Sequence, residues 1–285
     1  MDSIDFRLLV ALHENARQSY RSLGNKVALS APAVRARLKS LENYGILQGY
    51  WLSIDPNVFN REDVLIFFSG EFRTIEDARK AMKVPDVAWT AWKLDGGLTI
   101  QAWSKESRST KTVRDLESVL GRKAAGYAFS DRRIQKHRLS TVDWQIMDSL
   151  IDKPKMPFSE LVISTGLSPK TVRKHLENLL VNEVMYILPK LGALADSGEL
   201  VFHLAVCGQV GLADIRKIVG DTFLINQTQD PPLKYLLCRG TDLGEVTVKT
   251  NNLRKLSDVE SVNVTLNREL IIGTEFIHTL VQENL

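Results

Sequence analysis

Arg35 and Lys39 stand four residues apart, with the apolar residues Val34, Leu38 and Leu41 interleaved at helical spacing. On a helix this puts the two cations roughly opposite the apolar stripe, on the face turned to solvent. A guanidinium in such a place bonds guanine in bidentate fashion or grips a phosphate. Enzyme chemistry lacks comparable signals. The five histidines (His13, His137, His175, His203 and His278) are scattered without metal-ligand spacing. There is no Gly-x-Ser-x-Gly nucleophile turn, no phosphate loop ending in Gly-Lys-Ser/Thr and no Gly-x-Gly-x-x-Gly. His203 is flanked by apolar residues and reads as a strand side chain. Cys207 and Cys238, far too few for a disulfide framework, read as buried thiols in strands. The tryptophans Trp51, Trp89, Trp92 and Trp103 offer a stacking surface for bases, but Trp89 and Trp103 fit strand packing better. The expectation is a protein that is not an enzyme, with no catalytic residue, no metal and no cofactor.

The elements that would hold these cations occur twice. Sliding the chain by 138 positions brings Asp5 onto Asp143, Leu12 onto Leu150, Leu23 onto Leu161 and Leu29-Ser30 onto Leu167-Ser168. Val34-Arg35, Leu38 and Leu41 land on Val172-Arg173, Leu176 and Leu179, and no gap is needed from Asp5 to Tyr50. The identities are mostly apolar residues at helical spacing, so each copy buries the same face. Each reads as an amphipathic helix (Ile4, Leu8, Leu9, Leu12), a short helix around Tyr20–Lys26, and a third helix opening at Ser30. The Ser30 hydroxyl suits an N-cap, Pro32 costs little in the first turn, and Gly45 suits the helix end. In the second copy Ser168 is the cap and Pro169 the first helical residue. With a strand at Tyr50–Ile54, each copy reads as a winged helix-turn-helix.

Between and after these units the rhythm changes. Strands at Val64–Phe68, Val87–Leu94, Leu98–Trp103 and Tyr127–Phe129 alternate with helices at Ile75–Lys83 and Val113–Leu120, with Gly96-Gly97 at a turn. This is the β-α-β-β-α-β order of a ferredoxin-like module. The second copy offers Val201–Val206, a helix at Leu212–Val219, strands at Lys234–Arg239 and Glu245–Lys249, a short helix near Leu253 and a strand at Val262–Leu266. Thr222–Pro232 fits strand or loop, and Glu275–Leu285 fits a helix. The fold class is therefore α+β: winged helix-turn-helix domains at 1–55 and 139–192 alternating with ferredoxin-like domains at 60–132 and 198–285. Length and charge agree with the doubling. The 285 residues divide into two units of roughly 140, and the net charge of +3 conceals 23 Lys+Arg against 16 Asp+Glu in residues 1–139 and 14 against 18 thereafter. The basic half is the better partner for a polyanion. The run Arg132-Arg133, Lys136-His137-Arg138 fits either phosphate contact or a solvated linker. No apolar run approaches the roughly 18 residues of a membrane span. The acidic start lacks the profile of a secretion signal, so a cytoplasmic protein is expected.

These residues resemble the Lrp/AsnC (leucine-responsive, feast/famine) family of transcription regulators. Asp2-Ser3-Ile4-Asp5 with Leu8-Leu9, Leu29-Ser30 and Val34 resembles its helix-turn-helix signature; Leu41-Glu42, Gly45-Ile46-Leu47 and Gly49-Tyr50 match its run into the wing. The second copy is looser, with Glu183-Val184-Met185 in place of Gly-Ile-Leu. Ordinary members carry one such unit, so a chain with two resembles a single-chain pseudo-dimer. The resemblance implies double-stranded DNA as partner, read by the third helix. Ser30, Ala31, Ala33, Arg35, Arg37 and Lys39 would lie on or beside the reading face, and Ser168, Lys170, Thr171, Arg173, Lys174 and His175 would do so in the second copy. It also implies further pairing of chains into homo-oligomers, and leaves a small-molecule effector open. Amino-acid-responsive members carry a glycine followed closely by an aspartate at the turn between the second and third strands. Leu94-Asp95-Gly96-Gly97-Leu98 lacks that order, whereas Arg239-Gly240-Thr241-Asp242 is closer and makes Asp242 the effector candidate. A related branch, the sirohaem decarboxylases, uses paired Lrp-like subunits as an enzyme and is the alternative reading. Its His-Asn-Tyr-x-Arg type motif does not occur here.

Overall fold

The computed structural model describes residues 1–130, 138–192 and 200–285. The chain opens with α1 (Ser3–Glu14), α2 (Tyr20–Val27), α3 (Ala31–Asn43) and β1 (Leu47–Ile54). After a 3-10 turn at Pro56–Phe59 come β2 (Glu62–Phe68), α4 (Ile75–Ala81), β3 (Val87–Lys93), β4 (Leu98–Ser104), α5 (Lys111–Leu120) and β5 (Gly126–Phe129). The second half repeats the plan with α6 (Thr141–Ile151), α7 (Phe158–Thr165), α8 (Pro169–Val181) and β6 (Met185–Leu191). It continues with β7 (Leu200–Gly208), α9 (Leu212–Val219), β8 (Thr222–Gln229), β9 (Pro232–Gly240), α10 (Leu243–Arg254) and β10 (Val259–Thr265). A final strand, β11 (Asn267–Ile272), and helix α11 (Thr274–Gln282) follow. Both helix-turn-helix units keep the 138-residue offset at nearly every element boundary. Most of the basic run between the halves lies outside the described residues; Arg138 is inside them.

The segment Glu245–Lys249, expected as a strand, is helix: it lies within α10. Its alternation of polar residues and valines imitates a strand. Burial of Val246, Thr250 and Leu253 instead follows the helical repeat, and Glu245 and Lys249 make an i,i+4 ion pair of 2.7 Å. Thr222–Gln229 resolves to strand, and the C-terminal segment to helix.

Three sheets result. Strands β8, β9, β7 and β10 form one in the order β10-β7-β9-β8, and the first ferredoxin-like unit forms β3-β4-β2-β5 with β11 added at its β3 edge. The last strand of the second half thus completes the sheet of the first, pairing Leu270 with Ala91 and Ile272 with Trp89. The third sheet is β1 with β6, antiparallel, Trp51 opposite Leu188 and Leu52 opposite Ile187. Each helix-turn-helix unit contributes one strand to this joint ribbon. Under the 138 offset the register is symmetric, with a pseudo-dyad between Tyr50 and Trp51 on one strand and between Leu188 and Pro189 on the other.

One apolar core joins the helix-turn-helix units, the ribbon and the facing sides of the two large sheets, and includes Leu8, Leu12, Leu52, Trp89, Trp103, Met147, Ile187 and Tyr235. Each large sheet has a second core under its own helices, around Ile66, Leu98 and Leu116 in the first and Leu204, Leu236 and Leu253 in the second. With both faces covered, β3 has every residue buried, which explains its nearly unbroken apolar run Val87–Trp92. Among the described residues no helix is long and apolar enough to cross a membrane.

Candidate nucleic-acid interface

Helix α3 is built as its spacing requires. The Ser30 hydroxyl accepts from the Ala33 N–H at 3.3 Å, and Val34, Leu38 and Leu41 are buried beneath. Ser30, Arg35 and Lys39 are exposed; Ala31 and Ala33 are half-buried in the first turn. In α8 Ser168 accepts from the Thr171 N–H at 3.1 Å, and Val172, Leu176 and Leu179 are buried. Lys170, Arg173 and Lys174 are exposed, with the Arg173 guanidinium over the Phe158 ring at 5.3 Å. Thr171 is half-buried beside its cap.

Arg37 does something else. Its guanidinium bonds Asp2 at 2.9 Å and Asp5 at 2.8 Å. These two carboxylates form the capping box of α1, so Arg37 ties α3 to the start of α1. The hydrogen bonds it donates to Asp5 and Asp2 raise its pKa further. The second copy repeats the device at the same offset: His175 Nδ1 lies 2.7 Å from Asp143, which forms the capping box of α6 with Ser140. Burial opposes the charge on Asp143, yet hydrogen bonds from Ser140 and His175 outweigh it and hold the carboxyl below its ordinary value. Both residues expected on the reading face thus bond a capping carboxylate inside the unit and orient the helix.

Contacts between the two units were not foreseen from the sequence. Arg17, after α1, donates to the carbonyls of Pro154 and Met156 at 2.9 and 2.7 Å. Its counterpart at the 138 offset, Lys155, donates back to the carbonyl of Ala16 at 2.6 Å and lies 4.6 Å from the Tyr50 ring centroid. The exchange is reciprocal, as in an isologous dimer interface. The available signal was the pairing of Arg17 with Lys155 under the offset, two cations at matching loop positions. Together with the β1–β6 ribbon, these bonds fix one recognition helix relative to the other.

Asp242 sits between β9 and α10, away from any strand-to-strand turn. Its carboxylate caps α10, accepting from the Glu245 N–H at 2.8 Å. The β8–β9 turn, where an effector aspartate was expected, falls at Gln229–Pro232. Among the described residues no group of His, Cys, Asp and Glu is arranged to hold a metal. Trp89, Trp92 and Trp103 are buried in the sheets, so a stacking role is excluded for them.

Residues 1–42 match the model of the AsnC-type helix-turn-helix domain, and residues 139–183 that of a winged helix-turn-helix DNA-binding domain. The chain is similar to the HTH-type transcriptional regulator Rv2324 of Mycobacterium tuberculosis, 33% identical over 94 residues, which are 32% of this chain and 64% of the relative. It is also similar to the regulator LysM of Sulfurisphaera tokodaii, 26% identical over 124 residues, 42% of this chain and 88% of that one. A third, Ptr1 of Methanocaldococcus jannaschii, is 39% identical over 66 residues, 23% of this chain and 45% of the relative. Among solved structures, the siroheme decarboxylase NirDL has a TM-score of 0.52 at 13% identity, covering 98% of this chain and 97% of that one. That likeness shows a shared fold across both halves.

Proposed function

The chain belongs to the Lrp/AsnC family of transcription regulators, and from that premise we propose that it binds double-stranded DNA sequence-specifically as a pseudo-dimer within one chain. The observation that carries this reading is the reciprocal Arg17–Lys155 exchange with the shared ribbon, which holds two capped recognition helices as one body. Arg35 and Lys39 contact base edges or phosphates from α3, flanked by Ser30, Ala31 and Ala33. Lys170, Thr171, Arg173 and Lys174 serve the same purpose on α8, reached from Ser168. Arg37 and His175 act as positioning residues. Two rigidly held helices fit half-sites about one helical turn, roughly 34 Å, apart. Footprinting on genomic fragments tests the reading: wild type protects discrete sites, and Arg35→Ala/Lys39→Ala loses them. Equal, merely nonspecific binding by both proteins would overturn it.

The end-to-end fold match favours a second reading, a tetrapyrrole-processing scaffold with helices that no longer read DNA. Visible absorbance on titration with an iron tetrapyrrole separates the two. A regulator leaves the spectrum as the sum of its parts, and a saturable shift of the absorption band with decarboxylation supports the enzyme.

A further inference from the structure

Helix α10 differs from the other helices that cover the two large sheets. α4, α5 and α9 turn charged side chains to solvent, among them Arg79, Arg114 and Lys217. From Leu243 to Asn252, by contrast, every exposed residue of α10 is uncharged. These residues are Leu243, Gly244, Thr247, Val248, Asn251 and Asn252, which recur at helical spacing and form one outward stripe. Leu243 is 69% exposed and Val248 60%. The opposite face, with Val246 and Leu253, is already buried against the second sheet. A surface helix ordinarily carries charge on its outer face, and β-branched residues such as Thr247 and Val248 disfavour helix where no packing offsets the cost.

The duplication shows that the fold does not impose this face. α5 holds the same place on the first sheet and exposes Lys111, Arg114, Asp115 and Ser118. That is the same i, i+3, i+4, i+7 spacing as Gly244, Thr247, Val248 and Asn251, with charge at three of the four positions.

The ends of the stripe are opposite in chemistry. At its start stands the exposed carboxylate of Asp242, with that of Glu245 one turn on; at its end stand Arg254 and Lys255, both exposed. Arg254, held by the Val262 carbonyl at 3.0 Å, also bonds the Asn251 side-chain oxygen at 3.2 Å, and Lys255 bonds that of Asn252 at 3.4 Å. The two amide nitrogens are then donors without an acceptor among the described residues. Acceptors collect at one end and donors at the other. A second α10 laid antiparallel sets each end on its complement and opposes the two helix dipoles. It also brings Thr247 against the partner's Val248 and Gly244 against the partner's Asn251.

We propose that the outward face of α10 is a contact surface for a second copy of this chain, packed antiparallel about a two-fold axis that passes between Thr247 and Val248. Such a contact is isologous, the same patch serving both copies. The helix is about 18 Å long, so alone it offers less than the roughly 800 Å² per partner of a standard interface, and the association is reversible. On the regulator reading above, the paired particle carries four recognition helices, but the contact does not depend on that reading.

Sedimentation velocity on the full chain without DNA, over a hundredfold range of concentration, tests the surface. Wild type should move from one-chain to two-chain mass as concentration rises. Val248→Glu and Val248→Lys, both at an exposed position, should each weaken association tenfold or more, because like charges meet beside the axis. An equimolar mixture of the two should recover the two-chain species, which also shows that both variants fold. Ser118→Glu, at the matching place on α5, should associate as wild type does. A wild type that keeps one-chain mass throughout overturns the proposal. So do undiminished association in both Val248 variants, failure of their mixture to recover it, or an equal loss in Ser118→Glu. Because no DNA is present, each of these outcomes leaves the regulator reading to the footprinting test.

Discussion

Arg35 and Arg37 are two residues apart and opposite in use. Arg35 is exposed and turned toward solvent, where it can meet DNA, whereas Arg37 is bound by two carboxylates. Arg35→Ala should therefore remove a base or phosphate contact, costing about 1–3 kcal/mol of discrimination if it reads a guanine. Arg37→Ala should weaken binding evenly across sequences and lower the urea midpoint. The stability loss should be about 0.5–1 kcal/mol, because a third of the side chain is in water. A double-mutant cycle with Asp5→Asn checks the pairing. Titration provides another prediction at this scale. Burial lowers His13 and His203 from 6.5 to about 4 and about 3, so the unfolded chain takes up protons that the folded one refuses. Their contribution is whole above about pH 6.5 and is lost as pH falls toward 3–4. Asp63, buried between the sheets and hydrogen-bonded by Gln101, Asn226 and Ser130, is raised from 3.8 to about 6 and runs the opposite way. Its contribution is whole below 3.8 and is lost as pH rises through 6. Asp63→Asn should thus stabilise the chain at pH 7–8 by roughly 1–3 kcal/mol and do little at pH 4. Denaturation curves at both pH values check the sign.

The C-terminal pair β11 and α11 decides how the halves hold together. β11 covers the β3 edge of the first sheet; α11 places Phe276 against Trp103 at 5.6 Å and bonds the second helix-turn-helix through Gln282 to Asp148 at 2.8 Å. An uncovered edge beside buried Trp89 and Trp92 is a template for pairing between chains. Ile271→Pro, which removes a ladder N–H in β11 two residues before the Gly273 N–H that donates to Ala88, should lower the thermal midpoint by several degrees. It should also raise the apparent mass in size-exclusion chromatography. An unchanged elution volume and midpoint would show that β11 does not guard that edge.

The whole molecule is asymmetric in charge and symmetric in frame. The basic first half carries the exposed Arg35 and Lys39 that we propose as its DNA contacts, whereas α8 carries Glu177 among its cations and Glu183 follows it. Arg35→Ala/Lys39→Ala should accordingly cost more affinity than Arg173→Ala/Lys174→Ala. Removing any one cation that pairs with a phosphate should flatten the plot of log affinity against log salt by about 0.9. Arg17→Ala should leave each module folded but loosen their spacing, reducing affinity for a two-half-site fragment much more than for a single half-site. Gel shifts on the two fragments measure that difference.

By itself the sequence determined the local elements and the repeat. Ser30, Pro32 and the Val34/Leu38/Leu41 stripe specify α3 through bonds and burial within a dozen residues, and the 138 offset doubles that information. The short second-half segments misled where a helix carried alternating valines, because Glu245–Lys249 spans barely more than one helical turn. Tertiary structure alone decided the rest. Whether Arg37 meets DNA or Asp5 depends on a residue 32 positions away. The partner of β11 lies in the other half. Such relations follow from the packing of distant faces, on which a linear pattern carries no direct mark.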